Sequence, residues 1–263
     1  MMSANCKPIG FFDSGLGGLS VLKTARRLLP GENYIYFGDN LNAPYGEKSE
    51  EEIKKLTLNA CGFLYDKGVK AIVIACNTAT SAAVIMMRET YNIPVISMEP
   101  AVKPALQGRR EGKVLVLATP ATVSQARYLG LIERLNAHDE VISVGCGGLV
   151  ELIEEGRTDE EAIHAYLSKR LAFLDGQAIG AVVLGCTHYS FAEAAIKSYI
   201  DKITHTDCPV FDGRHGTARQ LQRVLENQNL LREGSGEGYI QFYASLSGYD
   251  ISRFEKVYND FKA

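Results

Sequence analysis

The sequence lacks the features that mark several classes of protein. None of its apolar runs approaches the roughly 20 residues that a membrane-spanning helix needs. Its first residues, MMSANCKPIG, contain no apolar segment of the kind that secretory signals carry. Its net charge is only −3, with acidic and basic residues interspersed. We therefore expect a cytoplasmic protein that binds neither a membrane nor nucleic acid.

The cysteines show no metal-binding or disulfide pattern. No C-x-x-C pair occurs, and the spacing of Cys186 and His188 alone is not a zinc signature. A chain of 263 residues folds without disulfide bonds, so we expect free thiols and no metal site. Four cysteines are interpreted as small packing residues: Cys6, Cys61, Cys146 and Cys208.

What the sequence does contain is a regular alternation of strand and helix patterns. The strands are near-continuous apolar runs, which is typical of parallel sheets covered on both faces. The predicted strands are 9–13, 34–39, 71–75, 94–98, 113–118, 140–145, 181–185 and 209–212, and a further strand at 239–246 precedes a short helix. The predicted helices include 49–67, 121–135, 158–174 and 216–231. The fold class is therefore α/β with mainly parallel sheets.

An internal repeat divides the chain into two similar halves. Residues 49–83 align with 158–195: each copy has a capping box, a helix, an apolar strand, a cysteine and another helix. The capping boxes are Ser49-x-x-Glu52 and Thr158-x-x-Glu161. The lead-in strands 9–15 and 114–120 also correspond.

The repeat predicts two α/β domains related by a pseudo-two-fold axis, with the active site in the cleft between them. The first domain would comprise residues 1–97 and 209–263, and the second residues 98–208. Ligands of open α/β sheets bind beyond the carboxyl ends of the strands, where both repeat cysteines are expected.

Cys76 and Cys186 are the candidate catalytic residues. A single cysteine after an apolar run is usually a packing residue, and that interpretation stays open. Three features favour chemistry for this pair: the matching positions, the polar residues that follow, and the predicted helix starts, which favour a thiolate.

Two facing thiols suit proton transfer that inverts a carbon centre. One removes a proton from one face while the other delivers a proton to the opposite face. Both must come within reach of the carbon, so the sulfurs are expected about 7 Å apart.

Four blocks resemble the signature motifs of the glutamate racemases, in the aspartate/glutamate racemase superfamily. They are FFDSGLGGLSV (11–21), DNLNAPYGEKS (39–49), IACNTATS (74–81) and LGCTHY (184–189), in the family's order over most of the chain. Aspartate racemases usually have Cys-Thr-Glu at the second cysteine, so Cys186-Thr187-His188 favours glutamate.

This resemblance implies catalytic roles for five residues. Cys76 would act on the D-isomer with help from Asp13, and Cys186 on the L-isomer with help from His188. Glu154, or alternatively its neighbour Glu155, would be a further acid near the second cysteine. As an alternative, Asp13 and the residue after it would only cap the helix that begins near position 18.

The resemblance also implies the substrate, the substrate-binding residues and a biological role. The family interconverts L- and D-glutamate without a cofactor or metal, supplies D-glutamate to peptidoglycan and commonly forms homodimers. The substrate-binding residues would be Asp13, Ser14, Pro44, Tyr45, Gly46, Asn77, Thr78, Thr187 and His188. The short lead before Asp13 leads us to expect no activation by a UDP-linked wall precursor.

Two other functions compete with this interpretation. In an acyl-transfer enzyme Cys186 would be the nucleophile and His188 its base, although their i, i+2 spacing on an extended segment would point the side chains apart. A nucleotide or phosphate binder would use GLGG (15–18) as an anion loop, but that pattern lacks the G-x-G-x-x-G spacing and the Walker lysine.

Overall fold

A computed structural model describes residues 4–174, 177–234 and 236–262. Its strands are β1 (Ile9–Asp13), β2 (Tyr34–Gly38), β3 (Ala71–Ile74), β4 (Val95–Ser97), β5 (Lys113–Ala118), β6 (Val141–Gly145), β7 (Ile179–Leu184), β8 (Val210–Asp212) and β9 (Ile240–Ala244). Its helices are α1 (Leu19–Leu28), α2 (Glu50–Asp66), α3 (Asn77–Thr90), α4 (Val102–Gly108), α5 (Pro120–Ser124), α6 (Ala126–Arg134), α7 (Leu149–Glu154), α8 (Glu160–Arg170), α9 (Glu193–Thr204), α10 (Arg214–Asn227) and α11 (Ser252–Asp260). Short 3-10 helices cover Ala4–Cys6, Tyr45–Glu47, Ala172–Leu174 and Thr187–Ala192.

The chain forms two compact units, each with its own parallel sheet. Unit 1 comprises residues 1–99 and 214–263, and unit 2 comprises residues 100–213. The sheet order is β4-β3-β1-β2-β9 in unit 1 and β6-β5-β7-β8 in unit 2. All the strand pairs of both sheets are parallel, as predicted.

The same strand order recurs in both sheets. If the first four strands of each unit are numbered along the chain, both sheets read 2-1-3-4, and unit 1 adds β9 beside β2. Two halves with one topology are what the internal repeat predicts. Unit 2 was predicted to end at position 208, but it extends to position 213. The reason is that β8 pairs with β7 and therefore belongs to unit 2.

Helices cover both faces of the unit 2 sheet. Along β5, Leu115 and Leu117 pack into one apolar cluster, while Val114 and Val116 pack into another. Because successive side chains of a strand point to opposite faces, this division explains why the strand is apolar along nearly its whole length.

Several predicted helix boundaries change in the structure. The predicted helix 121–135 is divided at Gln125, whose backbone is extended between α5 and α6. The predicted helix 158–174 ends at Arg170, before a 3-10 turn. The helix predicted at 216–231 is α10, which begins at Arg214 and ends at Asn227.

One of the two predicted capping residues is correct. The Ser49 hydroxyl accepts a hydrogen bond from the Glu52 amide at the start of α2. At α8 the cap is Asp159 rather than Thr158, and its carboxylate accepts a 2.9 Å bond from the Ala162 amide. That bond lowers the pKa of Asp159, because a carboxylate is the better acceptor at the positive end of a helix.

A buried ion pair joins distant segments of unit 1. Lys70 Nζ lies 2.5 Å from Glu32 Oε2, and both side chains are almost fully buried. Lys70 also donates to the carbonyl oxygens of Asn5 and Leu230. The second oxygen of Glu32 accepts from the Arg232 amide. Each charge therefore has the additional hydrogen bonds that burial requires.

Candidate active site

Cys76 lies at the junction of β3 and α3. It is the N-cap residue of α3, and its sulfur accepts from the Ala79 amide at 3.5 Å. The side chain is 5% exposed. An N-cap sulfur meets free amides and the positive end of the helix dipole, which both favour a thiolate.

Ser14 and Asp13 lie beside Cys76 because β1 and β3 are neighbours in the sheet. The Ser14 hydroxyl is 3.5 Å from the Cys76 sulfur. An oxygen of the buried Asp13 carboxylate accepts from the Gly15 amide at 2.9 Å. Helix α1 has Gly18 as its N-cap residue, so neither Asp13 nor Ser14 stands at the N-cap position.

Gly18 explains part of the GLGG segment without a ligand. A Cβ atom at this position would lie only 2.6 Å from the Cβ of Asp13 and 3.1 Å from that of Ala75. The glycine therefore lets α1 begin close against the Asp13 side chain.

The other predicted binding residues of unit 1 lie in two short segments. Pro44 precedes the 3-10 turn that contains Tyr45 and Gly46, both buried. Asn77 and Thr78 open α3 and are each 2% exposed. Within the described chain, both amide atoms of Asn77 are buried without a hydrogen-bond partner, as expected of a group that meets a ligand.

Cys186 has a different environment at the end of β7. Its backbone is extended, and a 3-10 helix of residues Thr187–Ala192 follows it. The Cys186 sulfur lies 3.9 Å from His188 Nδ1, and His188 Nε2 lies 2.7 Å from Glu154 Oε1. No capping bond to the Cys186 side chain forms, so its predicted position at a regular helix start was only partly correct.

The contact between Cys186 and His188 corrects another expectation. The i, i+2 spacing was expected to point these side chains apart, but the chain turns into the 3-10 helix directly after Cys186 and brings them together. The side-chain directions of an extended strand therefore do not apply to this pair.

The contacts of His188 favour the protonated form of its ring. Burial lowers its pKa, but hydrogen bonds to Cys186 and Glu154, and their negative charges, raise the pKa well above its ordinary value. The raising effect outweighs burial because the Glu154 carboxylate is in direct contact with the ring. The second cysteine is thus next to a histidine ring that a carboxylate holds in place and whose protonated form that carboxylate favours.

The acidic residue beside His188 is Glu154 rather than Glu155. Glu154 is the last residue of α7 and is partly buried, whereas Glu155 is exposed and forms a 3.8 Å ion pair with Arg157. Thr187, the residue between Cys186 and His188, is buried.

Matching hydrogen bonds establish which residues of the two units correspond. The Ala75 amide donates to the Phe12 carbonyl in unit 1, and the Gly185 amide donates to the Leu117 carbonyl in unit 2. The residue after each donor is a cysteine, so Cys76 and Cys186 occupy equivalent positions.

By the same correspondence, Ser14 is equivalent to Thr119 and Asp13 to Ala118. The carboxylate of unit 1 therefore has no counterpart on β5. His188 and Glu154 supply the ionisable groups in unit 2 instead.

Sequence reasoning missed two residues near these clusters. Thr119 is a buried hydroxyl at the position of Ser14, and the alignment of 9–15 with 114–120 was the signal for it. Asp39 is buried and accepts a 2.5 Å hydrogen bond from the Tyr45 hydroxyl. Its signal was its place at the start of the block 39–49.

The six cysteines, all within the described residues, are free thiols. No three or more histidine, cysteine, aspartate or glutamate side chains in the part of the chain that the structure describes are grouped so as to hold a metal ion. Among those same residues, no helix is long and apolar enough to span a membrane.

Comparison with known proteins identifies the family. The sequence profile of the Asp/Glu/Hydantoin racemase family matches residues 19–221. The glutamate racemase of Clostridium botulinum strain Langeland is 46% identical over 250 residues, which cover 95% of this chain and 96% of that protein. The crystal structure of glutamate racemase from Francisella tularensis in complex with D-glutamate has a TM-score of 0.83 at 32% identity and covers 98% of this chain and 95% of that one. The Escherichia coli glutamate racemase, in complex with L-glutamate and the activator UDP-MurNAc-ala, has a TM-score of 0.77 at 29% identity over 92% of this chain and 91% of that one. The chain therefore belongs to the Asp/Glu/Hydantoin racemase family and is, like the relatives that it matches, an isomerase.

Proposed function

We propose that this protein is a glutamate racemase that interconverts L- and D-glutamate by proton transfer at Cα, with Cys76 and Cys186 as the two bases and without a cofactor. The observation that carries the proposal is the equivalence of the two cysteines. Each follows the third strand of a sheet with the order 2-1-3-4. A packing role gives no reason for this correspondence, whereas a two-base reaction requires one thiol on each face of the carbon.

The proton balance of the reaction is simple. One cysteine, as thiolate, removes the α-proton and becomes a thiol, and the substrate becomes a carbanion. The other cysteine, as thiol, gives its proton to the opposite face and becomes a thiolate. Cys76 would take the proton from D-glutamate and Cys186 from L-glutamate, so the reverse reaction exchanges the two roles.

Different groups would assist the two cysteines. Asp13 would orient or accept a proton beside Cys76, which its position next to Ser14 supports. The His188 imidazolium would favour the Cys186 thiolate, and Glu154 would hold the ring in position. These roles come from the resemblance and from the contacts within each unit.

Glutamate is the proposed substrate because the similar enzymes are glutamate racemases and two were crystallised with glutamate. The residues that would bind its amino and carboxylate groups are Asp13, Ser14, Pro44, Tyr45, Gly46, Asn77, Thr78, Thr187 and His188. The unpartnered amide of Asn77 supports this assignment, since the substrate carboxylate would accept from its NH2 group and the substrate ammonium would donate to its oxygen.

The decisive experiment follows L- and then D-glutamate in D2O, without added cofactor, by circular dichroism and by NMR of the α-proton. We expect loss of optical activity together with deuterium at Cα. Racemisation should fall by about 10²–10⁴-fold or more in Cys76→Ala and in Cys186→Ala, since a positioned acid or base contributes that much. Aspartate tested in parallel decides the substrate, and complete inertness towards both amino acids refutes the proposal.

A second candidate function deserves the same test because the structure brings Cys186, His188 and Glu154 into one chain of contacts. Such a chain is also found in enzymes with a cysteine nucleophile. That function predicts a covalent adduct on Cys186 and full activity of Cys76→Ala. Loss of activity in both cysteine variants excludes it.

The remaining parts of the proposal concern the cell. The D-glutamate would supply peptidoglycan synthesis in the cytoplasm, and the enzyme would be a homodimer. Depletion of the protein should then be relieved by added D-glutamate. Light scattering over a concentration series measures the oligomeric state, and a constant monomer mass contradicts the dimer.

A further inference from the structure

One buried carboxylate organises the segment between β2 and α2. Asp39 directly follows β2 and is 3% exposed. Its Oδ2 accepts a 2.5 Å hydrogen bond from the Tyr45 hydroxyl, and both of its oxygens accept from Asn42 Nδ2, at 2.9 and 3.1 Å. Hydrogen bonds to a carboxylate are stronger than bonds between neutral groups.

The backbone of Asp39 is fixed to the strand that carries Asp13. The Asp39 amide donates to the Asp13 carbonyl at 3.0 Å, and Asp13 is paired with Gly38 in the register of β1 and β2. The Asn42 amide donates to the Asp39 carbonyl at 3.1 Å. Asp39 thus links the end of β1 to the turn that carries Tyr45.

Tyr45 is a neutral donor in this arrangement. It is 1% exposed, and its ring centroid lies 6.1 Å from that of Phe12. Burial, and then the negative charge of Asp39, raise the pKa of Tyr45. The phenol therefore keeps its proton and donates a hydrogen bond to Asp39. That carboxylate sets the direction of the hydroxyl group.

We propose that Asp39 is a positioning residue, which holds Tyr45, and through it the backbone of Pro44 and Gly46, where the amino-acid substrate binds. This inference rests on the proposed function. Asp39 has no part in proton transfer. Its carboxylate acts by fixing substrate-binding groups before the substrate arrives, which lowers the entropic cost of binding.

The negative charge of Asp39 matters because both of its oxygens act only as acceptors. They accept two hydrogen bonds from Asn42 Nδ2 and one from the Tyr45 hydroxyl. In Asp39→Asn one oxygen becomes an NH2 group. This NH2 group takes the place of an oxygen that accepts from Asn42 Nδ2, and the Tyr45 hydroxyl no longer donates to a charged group. Exchanging the two groups, in the double variant Asp39→Asn with Asn42→Asp, restores one amide and one carboxylate at the same two positions.

The test compares steady-state constants for glutamate in wild type, Asp39→Asn, Asn42→Asp and the double variant. We expect KM to rise about tenfold in each single variant with a smaller change in kcat, because a binding interaction is lost. In the double variant KM should return most of the way to the wild-type value. Asp66→Asn, which removes an exposed carboxylate of the same unit, is the matched control and should behave as wild type.

A spectroscopic readout checks the hydrogen bond itself. A bond of 2.5 Å between a phenol and a carboxylate should give a proton resonance far downfield of the amides. It should disappear in Asp39→Asn and in Tyr45→Phe. Tyr45→Phe removes the same bond and keeps the carboxylate. If Asp39→Asn does not fold, KM is therefore measured for Tyr45→Phe only.

The outcomes separate this inference from the proposed function. An active wild type with unchanged KM in Asp39→Asn and Tyr45→Phe overturns the positioning role and leaves the racemase intact. A wild type inert towards glutamate overturns both. A lower thermal midpoint with unchanged KM shows a merely structural role and also overturns the inference.

Discussion

At the scale of single residues, the two cysteines have equivalent places but different neighbours. The Cys76 sulfur contacts the Ser14 hydroxyl and the Ala79 amide, whereas the Cys186 sulfur contacts the His188 ring. The amides of a helix start and an adjacent histidine ring stabilise a thiolate by different means. The two halves of the proposed reaction should therefore respond differently to substitution.

Removing one cysteine should leave exchange without inversion. In Cys186→Ala, Cys76 still removes the α-proton of D-glutamate and returns a deuteron to the same face. D-glutamate should therefore gain deuterium without loss of optical activity, and L-glutamate should not. Cys76→Ala should show the opposite preference. NMR of each isomer in D2O measures both, and equal exchange of the two isomers by one variant contradicts the assignment of faces.

The contact of His188 with Glu154 should make unit 2 stability depend on pH. The pKa of His188 is raised on folding, so its protonated form stabilises the fold fully below its unfolded pKa of about 6.5. This contribution is lost as pH rises through the folded pKa. Glu154→Gln should cost about 1.5–3 kcal/mol near pH 6, since a bond between charged groups is lost.

The measurement is the thermal midpoint of wild type and Glu154→Gln from acidic to alkaline pH. The difference should shrink as pH rises through the raised pKa. Glu155→Gln changes an exposed carboxylate one residue away and should give no such trend. A difference that stays constant with pH contradicts the charged pair.

At the scale of helices and strands, the start of α8 distinguishes two adjacent candidate caps. Asp159→Ala removes the acceptor of the Ala162 amide and should lower the thermal midpoint by roughly 2–4 °C. Thr158→Ala should have little effect in the same calorimetric experiment. The reverse order would restore Thr158 as the cap.

The close approach of α1 to β1 makes Gly18 sensitive to substitution. Gly18→Ala places a methyl group 2.6 Å from the Cβ of Asp13, so Asp13 must move and racemase activity should fall at least tenfold. Gly216→Ala is the control: this helical glycine has no atom within 4 Å of an added Cβ. That change should leave both the thermal midpoint and the activity intact or slightly raised.

The limits of prediction from sequence also appear at this scale. Apolar runs identify the parallel strands, because burial on both faces leaves a clear signal along β5 and β7. The contact of Cys186 with His188 was missed, because it depends on a 3-10 turn of six residues that periodicity does not reveal. The hydrogen bonds of Asp39 likewise join residues through a loop without a repeating pattern.

At the scale of the whole molecule, unit 2 is continuous in sequence and unit 1 is not. The internal repeat predicted two halves, and the repeated strand order agrees with it. The position of β8 was predicted wrongly, because the repeat has no signal that assigns a short strand to one sheet or the other. The hydrogen bonds of β8 to β7 place it in the sheet of unit 2.

This difference in continuity predicts how fragments behave. Residues 100–213 contain the complete sheet and both apolar clusters of unit 2, and should unfold cooperatively on their own. Residues 1–99 lack α10, α11 and β9, which pack on α1 and β2, and should not. Calorimetry and circular dichroism of the two fragments measure this, and a cooperative transition in fragment 1–99 alone contradicts it.

The buried pair of Lys70 and Glu32 has a consequence for synthesis in the cell. Two of its partners, the Leu230 carbonyl and the Arg232 amide, lie some 160 residues later than Lys70. At about 5–20 residues per second, a ribosome needs roughly 8–32 s to make that stretch. For that time the nascent chain holds an incompletely bonded lysine and glutamate, while the whole of unit 2 is translated. The part of the protein that is made first is thus completed last.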